Sequence, residues 1–316
     1  MNKITKQIIA SGITLLLIFT VFSLLRIHNL QGRRTSELNT LQTRTNLQEP
    51  MTRDGRVMLR LANNQGPEHP ASRACDYFAE LVEQRTEGRI KILNYHSGQL
   101  GDEKSTVSQV MYGGIDLARV SIALLTDYEP ELIALQMPYL YESADHMWNV
   151  LDSKIGDEYL EKMREIGVEG LCWYDAGARN FYTTDRAVCG VKDLRGLKIR
   201  VQESAFMSDM IRALGAEPVE ISYNKVGSAL KNGEVDGAEN NFSSYISTGH
   251  YACAKHIVTD EHVRIPEVII MNKAVMEQLP REDQEIIYQA AQESSVRQRE
   301  LWKEQDAENT KILQEA

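Results

Sequence analysis

The stretch that decides the fold runs from residue 57 to residue 95: Val57-Met58-Leu59-Arg60-Leu61-Ala62, a helical span from Ser72 to Thr86, then Ile90-Lys91-Ile92-Leu93-Asn94-Tyr95. The first and last pieces are short and apolar, with the length and alternation of strands. Between them Ala74, Tyr77, Phe78, Leu81 and Val82 recur at helical spacing, and Gly88 supplies a stop. Strand, helix and strand in this order predict a βαβ unit, and so a parallel sheet with helices laid on it.

Two later segments echo each other. Val107 to Leu117 closes on Tyr112-Gly113-Gly114-Ile115-Asp116-Leu117-Ala118, and Val226 to Ala238 closes on Lys231-Asn232-Gly233-Glu234-Val235-Asp236-Gly237-Ala238. Each reads as a short helix, a glycine at the helix end, and a brief apolar strand carrying an aspartate. The repeat predicts an α/β protein of two similar lobes, of the periplasmic-binding-protein type, with a hinge and a cleft at the strand ends. Further strands are expected over Glu169 to Tyr174 and Leu197 to Val201, with a helix from Phe206 to Leu214 stopped by Gly215. A long charged helix beginning at Arg281 is expected to brace both lobes.

Composition narrows the function. The chain has 316 residues, 42% hydrophobic and 25% charged, which is enough for a full core. Its formal charge of −10 argues against nucleic acid, whose phosphates need a basic face. An anionic small molecule stays open, because a few cleft arginines can create a local positive field. The four cysteines (Cys75, Cys172, Cys189 and Cys253) show no metal-ligand spacing and read as thiols, with a Cys172–Cys189 bridge as the alternative.

The N-terminus carries Lys3 and Lys6 before an uncharged run from Ile8 to Leu25. This is an export signature. No small-x-small site closes the run, so over residues 1–26 a signal anchor inserted in the membrane is preferred to a cleaved signal peptide. Residues 27–56 are polar and read as a tether, leaving 57–316 as the two-lobed domain.

Several pieces together resemble the solute-binding proteins of TRAP transporters, the DctP-like family. They are Gly98-Gln99-Leu100-Gly101-Asp102-Glu103, Gly113-Gly114-Ile115-Asp116, Met137-Pro138-Tyr139-Leu140, Leu194-Arg195-Gly196-Leu197-Lys198-Ile199-Arg200 and Gly233 through Asn240. Three more, around Ile115 to Ser121, Trp173 to Arg179 and Glu239-Asn240-Asn241, look like the subgroup that binds hexuronates. The resemblance implies a receptor for a small carboxylate that works with membrane permease subunits and needs no cofactor. The chain departs from it in two ways: the start is anchor-like, and the family usually continues beyond its last long helix, so the brace is expected to be incomplete.

A carboxylate calls for a planar two-pronged cation, which arginine supplies and lysine does not. The resemblance makes Arg200, ending Lys198-Ile199-Arg200, the main clamp, with Arg179 second and Asn240 as a third contact. Taken alone, Arg179 could equally pair with an acid such as Asp175 or Asp185. Sugar hydroxyls need acceptors, for which Glu103 is a candidate and Arg119 its partner; Glu103 would also suit a helix N-terminus. His69, Asn64, Gln65 and Gln202 complete the expected contacts, while Trp173, Tyr174 and Asp236 are expected to be structural. No triad, P-loop or metalloprotease motif points to catalysis. The competing readings are a C4-dicarboxylate, keto acid or aldonate receptor, an anchored sugar-acid enzyme, and an anchored sensory domain.

Overall fold

The computed structural model describes Met51–Arg53 and residues 56–315. The expected signal segment, residues 1–26, and residues 27–50 of the expected tether lie outside the described residues. The chain opens with β1 (Met51–Arg53), β2 (Arg56–Ala62), α1 (Pro70–Arg85), β3 (Ile90–Tyr95), α2 (Glu103–Met111), β4 (Leu117–Ser121), α3 (Ala144–Leu151), α4 (Lys154–Lys162) and β5 (Val168–Tyr174). A second set follows: β6 (Ala178–Thr183), β7 (Lys198–Val201), α5 (Ala205–Ala213), β8 (Glu217–Glu220), α6 (Val226–Lys231), β9 (Gly237–Asn240), α7 (Phe242–Ser247), β10 (His256–Ile257) and β11 (Val263–Arg264). The chain then runs through β12 (Glu267–Asn272), α8 (Lys273–Gln278) and α9 (Arg281–Glu315). Strand β1 takes the end of the span expected as tether and pairs antiparallel with β2.

The two sets build two sheets on one plan. In the first, β2 lies parallel to β3 and β4, and the antiparallel β12 flanks β4. In the second, β7 lies parallel to β8 and β9, and the antiparallel β6 flanks β9. The echo in the sequence is therefore a structural repeat. Gly113 and Gly233 sit just past their helices at φ 77° and 69°, a left-handed conformation that glycine adopts without steric cost. Asp116 and Asp236 play one part twice. Asp116 Oδ2 accepts from the Arg60 N–H of β2 at 2.8 Å, and Asp236 Oδ2 accepts from the Lys198 N–H of β7 at 2.7 Å. Each aspartate thus stitches the start of its own strand to the neighbouring parallel strand.

Helix α1 starts two residues before the apolar pattern suggests, because Pro70 occupies its first position and the His69 ring caps it through the Ala71 N–H. The chain passes between the sheets at Asp175–Gly177, returns at Ile265–Pro266, and α9 packs on α1, β5 and α7. Asp175 is the knot of the first crossing. Its side chain accepts from Trp148 Nε1 and the Gly177 N–H, and its backbone is held at both ends by Gln298 of α9. All four cysteines are free thiols. Cys172 is buried within β5 while Cys189 is exposed, which removes the bridge considered above. Among the described residues, no helix is long and apolar enough to cross a membrane.

Candidate ligand-binding site

A cleft opens at the C-terminal ends of the parallel strands of both sheets. This is the end of an α/β sheet where loops leave strands and side chains converge. Asn64 and Gln65 enter just after β2, Gln202 after β7, and Asn240 from the last residue of β9. Glu103 enters from the first position of α2, with Asp102 as the cap. Both readings of Glu103, helix N-terminus and cleft residue, therefore hold at once.

Arg200 is 2% exposed and has no carboxylate within ion-pair distance among the described residues. Its Nε donates to the Ile221 carbonyl at 2.8 Å, and its buried Nη1 has no partner. Burial holds its pKa below the usual arginine value, since the interior disfavours the charged form. Arg179, its neighbour in the cleft, is placed differently. It forks onto the Glu239 carboxylate through Nε and Nη2 and reaches Asn240 Oδ1 with Nη1 at 3.1 Å. Burial would raise the Glu239 carboxyl, but Arg179 and the nearby His262 ring overcome it and hold the group at about 2. The partner of Arg179 is thus Glu239, rather than Asp175 or Asp185.

Arg119 and His69 do not line the cleft. Arg119 lies behind its wall in β4, with Nε and Nη2 on Asn63 Oδ1, Nη2 also on Asn64 Oδ1, and Nη1 on Glu267. Its fork is filled by protein groups, so it orients Asn64 and Glu267. His69 caps α1 and sits against Trp302, with ring centroids 5.7 Å apart. Burial, assisted by the Arg119 charge, lowers its pKa to about 3, so it is neutral.

The cleft also contains Glu267, Ser222, Tyr223 and Asn241, which local patterns did not bring forward. Asn241 caps α7 through the Ser244 N–H and ties that helix to the crossing through Ala176 O. Ser222 and Tyr223 follow β8, an edge strand interrupted by Pro218, whose sequence Glu-Pro-Val-Glu gives little strand signal.

The comparisons with known proteins agree with this architecture. The family described as bacterial extracellular solute-binding protein, family 7 (DctP), matches residues 61–316.

The chain belongs to the DctP family.

A solute-binding protein of Chromohalobacter salexigens is 35% identical over 248 residues, covering 78% of this chain and 74% of that protein. Among solved structures, a TRAP periplasmic solute-binding protein from Bradyrhizobium in complex with α/β-D-galacturonate superposes with a TM-score of 0.79 at 38% identity, covering 81% of this chain and 85% of the other. A second, from Chromohalobacter salexigens with bound D-glucuronate, gives 0.78 at 32% identity, with 81% and 85% covered. As a DctP-family solute-binding protein the chain has the two-lobed architecture expected from its repeat.

Proposed function

We propose that this protein is the extracytoplasmic receptor of a TRAP-type secondary transporter and that it binds a hexuronate, D-glucuronate or D-galacturonate. The observation that carries the reading is Arg200: a buried guanidinium with an unpartnered Nη1 and, among the described residues, no carboxylate within ion-pair distance. An isolated buried charge is costly unless something pairs with it. A ligand carboxylate gripped by Arg200, Asn240 and the Nη1 side of Arg179 supplies that pair. At the other wall Glu103, Asn64 and Gln65 present amide and carboxylate groups suited to ring hydroxyls. The ligands of the Bradyrhizobium and Chromohalobacter structures are acids of this shape. The uncharged run from Ile8 to Leu25 behind two lysines supports a receptor outside the cytoplasm, held at the membrane surface, whose loaded lobes close and meet the permease subunits.

A thermal-shift screen of sugar acids, C4 dicarboxylates, keto acids and aldonates tests this. A ligand that binds only the folded state raises the melting temperature. Glucuronate or galacturonate is expected to give the largest rise, and a flat response to both rules the reading out.

A further inference from the structure

Glu267 opens β12 where the chain re-enters the first sheet, and it faces the cleft from the wall opposite Arg200 and Asn240. It is 7% exposed, and its two oxygens have different surroundings. Oε1 takes Arg119 Nη1 at 2.5 Å, whereas Oε2 is buried and has no hydrogen-bond partner. Arg119 cannot serve both. Its remaining donors are held by Asn63 and Asn64, and Nη1 also lies 3.6 Å from Glu103 Oε1. The charged and titratable groups around Glu267 are Arg119 of β4, Glu103 of α2, Arg179 of β6, Cys75 of α1 and its cross-strand neighbour Tyr174 of β5. Burial chiefly, opposed by Arg119 and reinforced by Glu103, pushes its carboxyl up to about 7. If satisfying Arg119 were its whole task, one carbonyl oxygen would do. The second, orphaned oxygen points to a donor that arrives with the ligand.

Building on the hexuronate reading, we propose that Glu267 Oε2 accepts a hydrogen bond from a ring hydroxyl of the bound sugar acid and thereby selects hydroxylated acids over bare ones. The repeat explains why an acceptor stands here. In the first sheet β4 carries the arginine and β12 the glutamate, Arg119 lying opposite Ile269 and reaching two residues along to Glu267. In the second, β9 carries the glutamate and β6 the arginine, Glu239 lying opposite Phe181 and reaching two residues along to Arg179. The same diagonal ion pair is built with its charges exchanged. The strand flanking each sheet therefore sends a cation into the cleft from one lobe and an acceptor from the other.

The test is calorimetric titration of wild type, Glu267→Gln and Glu267→Met with two probes: D-glucuronate, and tetrahydropyran-2-carboxylate, which keeps the ring and the acid but has no hydroxyl. Glutamine keeps one oxygen for Arg119 and replaces the free acceptor with a donor. At pH 8.5, where the Glu267 carboxyl is ionised, glucuronate affinity is expected to fall roughly 10- to 100-fold in both variants, the usual effect of losing a hydrogen bond to a charged group. Affinity for the bare acid is expected to stay within about threefold, which also reports that the clamp is folded and intact. Equal losses for the two probes, or no loss for glucuronate, overturn the proposal. If wild type binds the bare acid but neither glucuronate nor D-galacturonate, titrated as a control, the ligand reading itself is overturned.

Discussion

Replacing Arg200 with methionine should separate binding from stability. Methionine keeps most of the side-chain volume and removes the charge. In the folded protein Arg200 is buried, donates one described hydrogen bond, to Ile221 O, and has no ion-pair partner. A cation whose pKa is lowered on folding opposes folding for as long as it stays protonated, which covers the whole physiological range. The bond to Ile221 O stabilises by about 1.5 to 3 kcal/mol, and loss of the charge's desolvation penalty offsets a similar amount. The unliganded Arg200→Met protein should therefore melt within about 2 °C of wild type, a shift of roughly 1 kcal/mol or less for a domain this large. Binding should collapse. A bidentate carboxylate contact is two charge-assisted bonds, about 3 to 6 kcal/mol together, or roughly 10²- to 10⁴-fold in dissociation constant. Arg200→Lys keeps the charge but presents a point donor, so an intermediate loss is expected. Differential scanning fluorimetry gives the first quantity and calorimetry with glucuronate the second. A variant that melts many degrees lower, or that binds glucuronate as wild type does, would show that Arg200 is a structural arginine and refute the reasoning.

Two further outcomes follow from the neighbouring elements. Glu239 has a folded pKa of about 2, below its ordinary value of 4.5, so its ionised form contributes stability above pH 4.5 that disappears as pH falls through 2. Acid unfolding followed by circular dichroism should show a loss on the order of 3 kcal/mol across that window, and Glu239→Gln should flatten it. At the crossing, Gly177 has φ 65° and an added Cβ would stand 3.0 Å from Trp302. Gly177→Ala should cost about 1 to 3 kcal/mol from the left-handed backbone and the close approach, lowering the melting temperature by a few degrees. An unchanged melt would show that Trp302 yields at no cost.

The parts of this protein that were legible in its sequence are those with a local cause. Strand β2, helix α1 and strand β3 follow from spacing, and the repeat follows from a glycine and an aspartate recurring in the same frame. Asp236 was expected to be structural, and it holds Lys198 of the adjacent strand. Seven of the nine residues expected at the site, Arg200, Arg179, Asn240, Glu103, Asn64, Gln65 and Gln202, line one cleft. Resemblance to a family supplied most of these, since an arginine ending an apolar strand does not declare itself by periodicity. Arg119 and His69 fell outside because their sequence neighbours say nothing of the amides and aromatic ring that occupy them. Glu267 was illegible for a topological reason. It reaches the cleft only because the chain leaves the first sheet, builds the second and returns antiparallel beside β4, and no local pattern encodes a return over that distance.

The exchanged ion pairs have a consequence for which way round a guest can sit. One wall of the cleft has an excess of donors around Arg200 and Arg179, and the other an excess of acceptors in Glu103 and Glu267. A molecule with an acid at one end and alcohols at the other fits in a single direction. A short diacid has like charge at both ends and meets repulsion whichever way it enters. The two lobes share a plan but not a polarity, and that asymmetry lets a repeated scaffold tell the head of a small molecule from its tail.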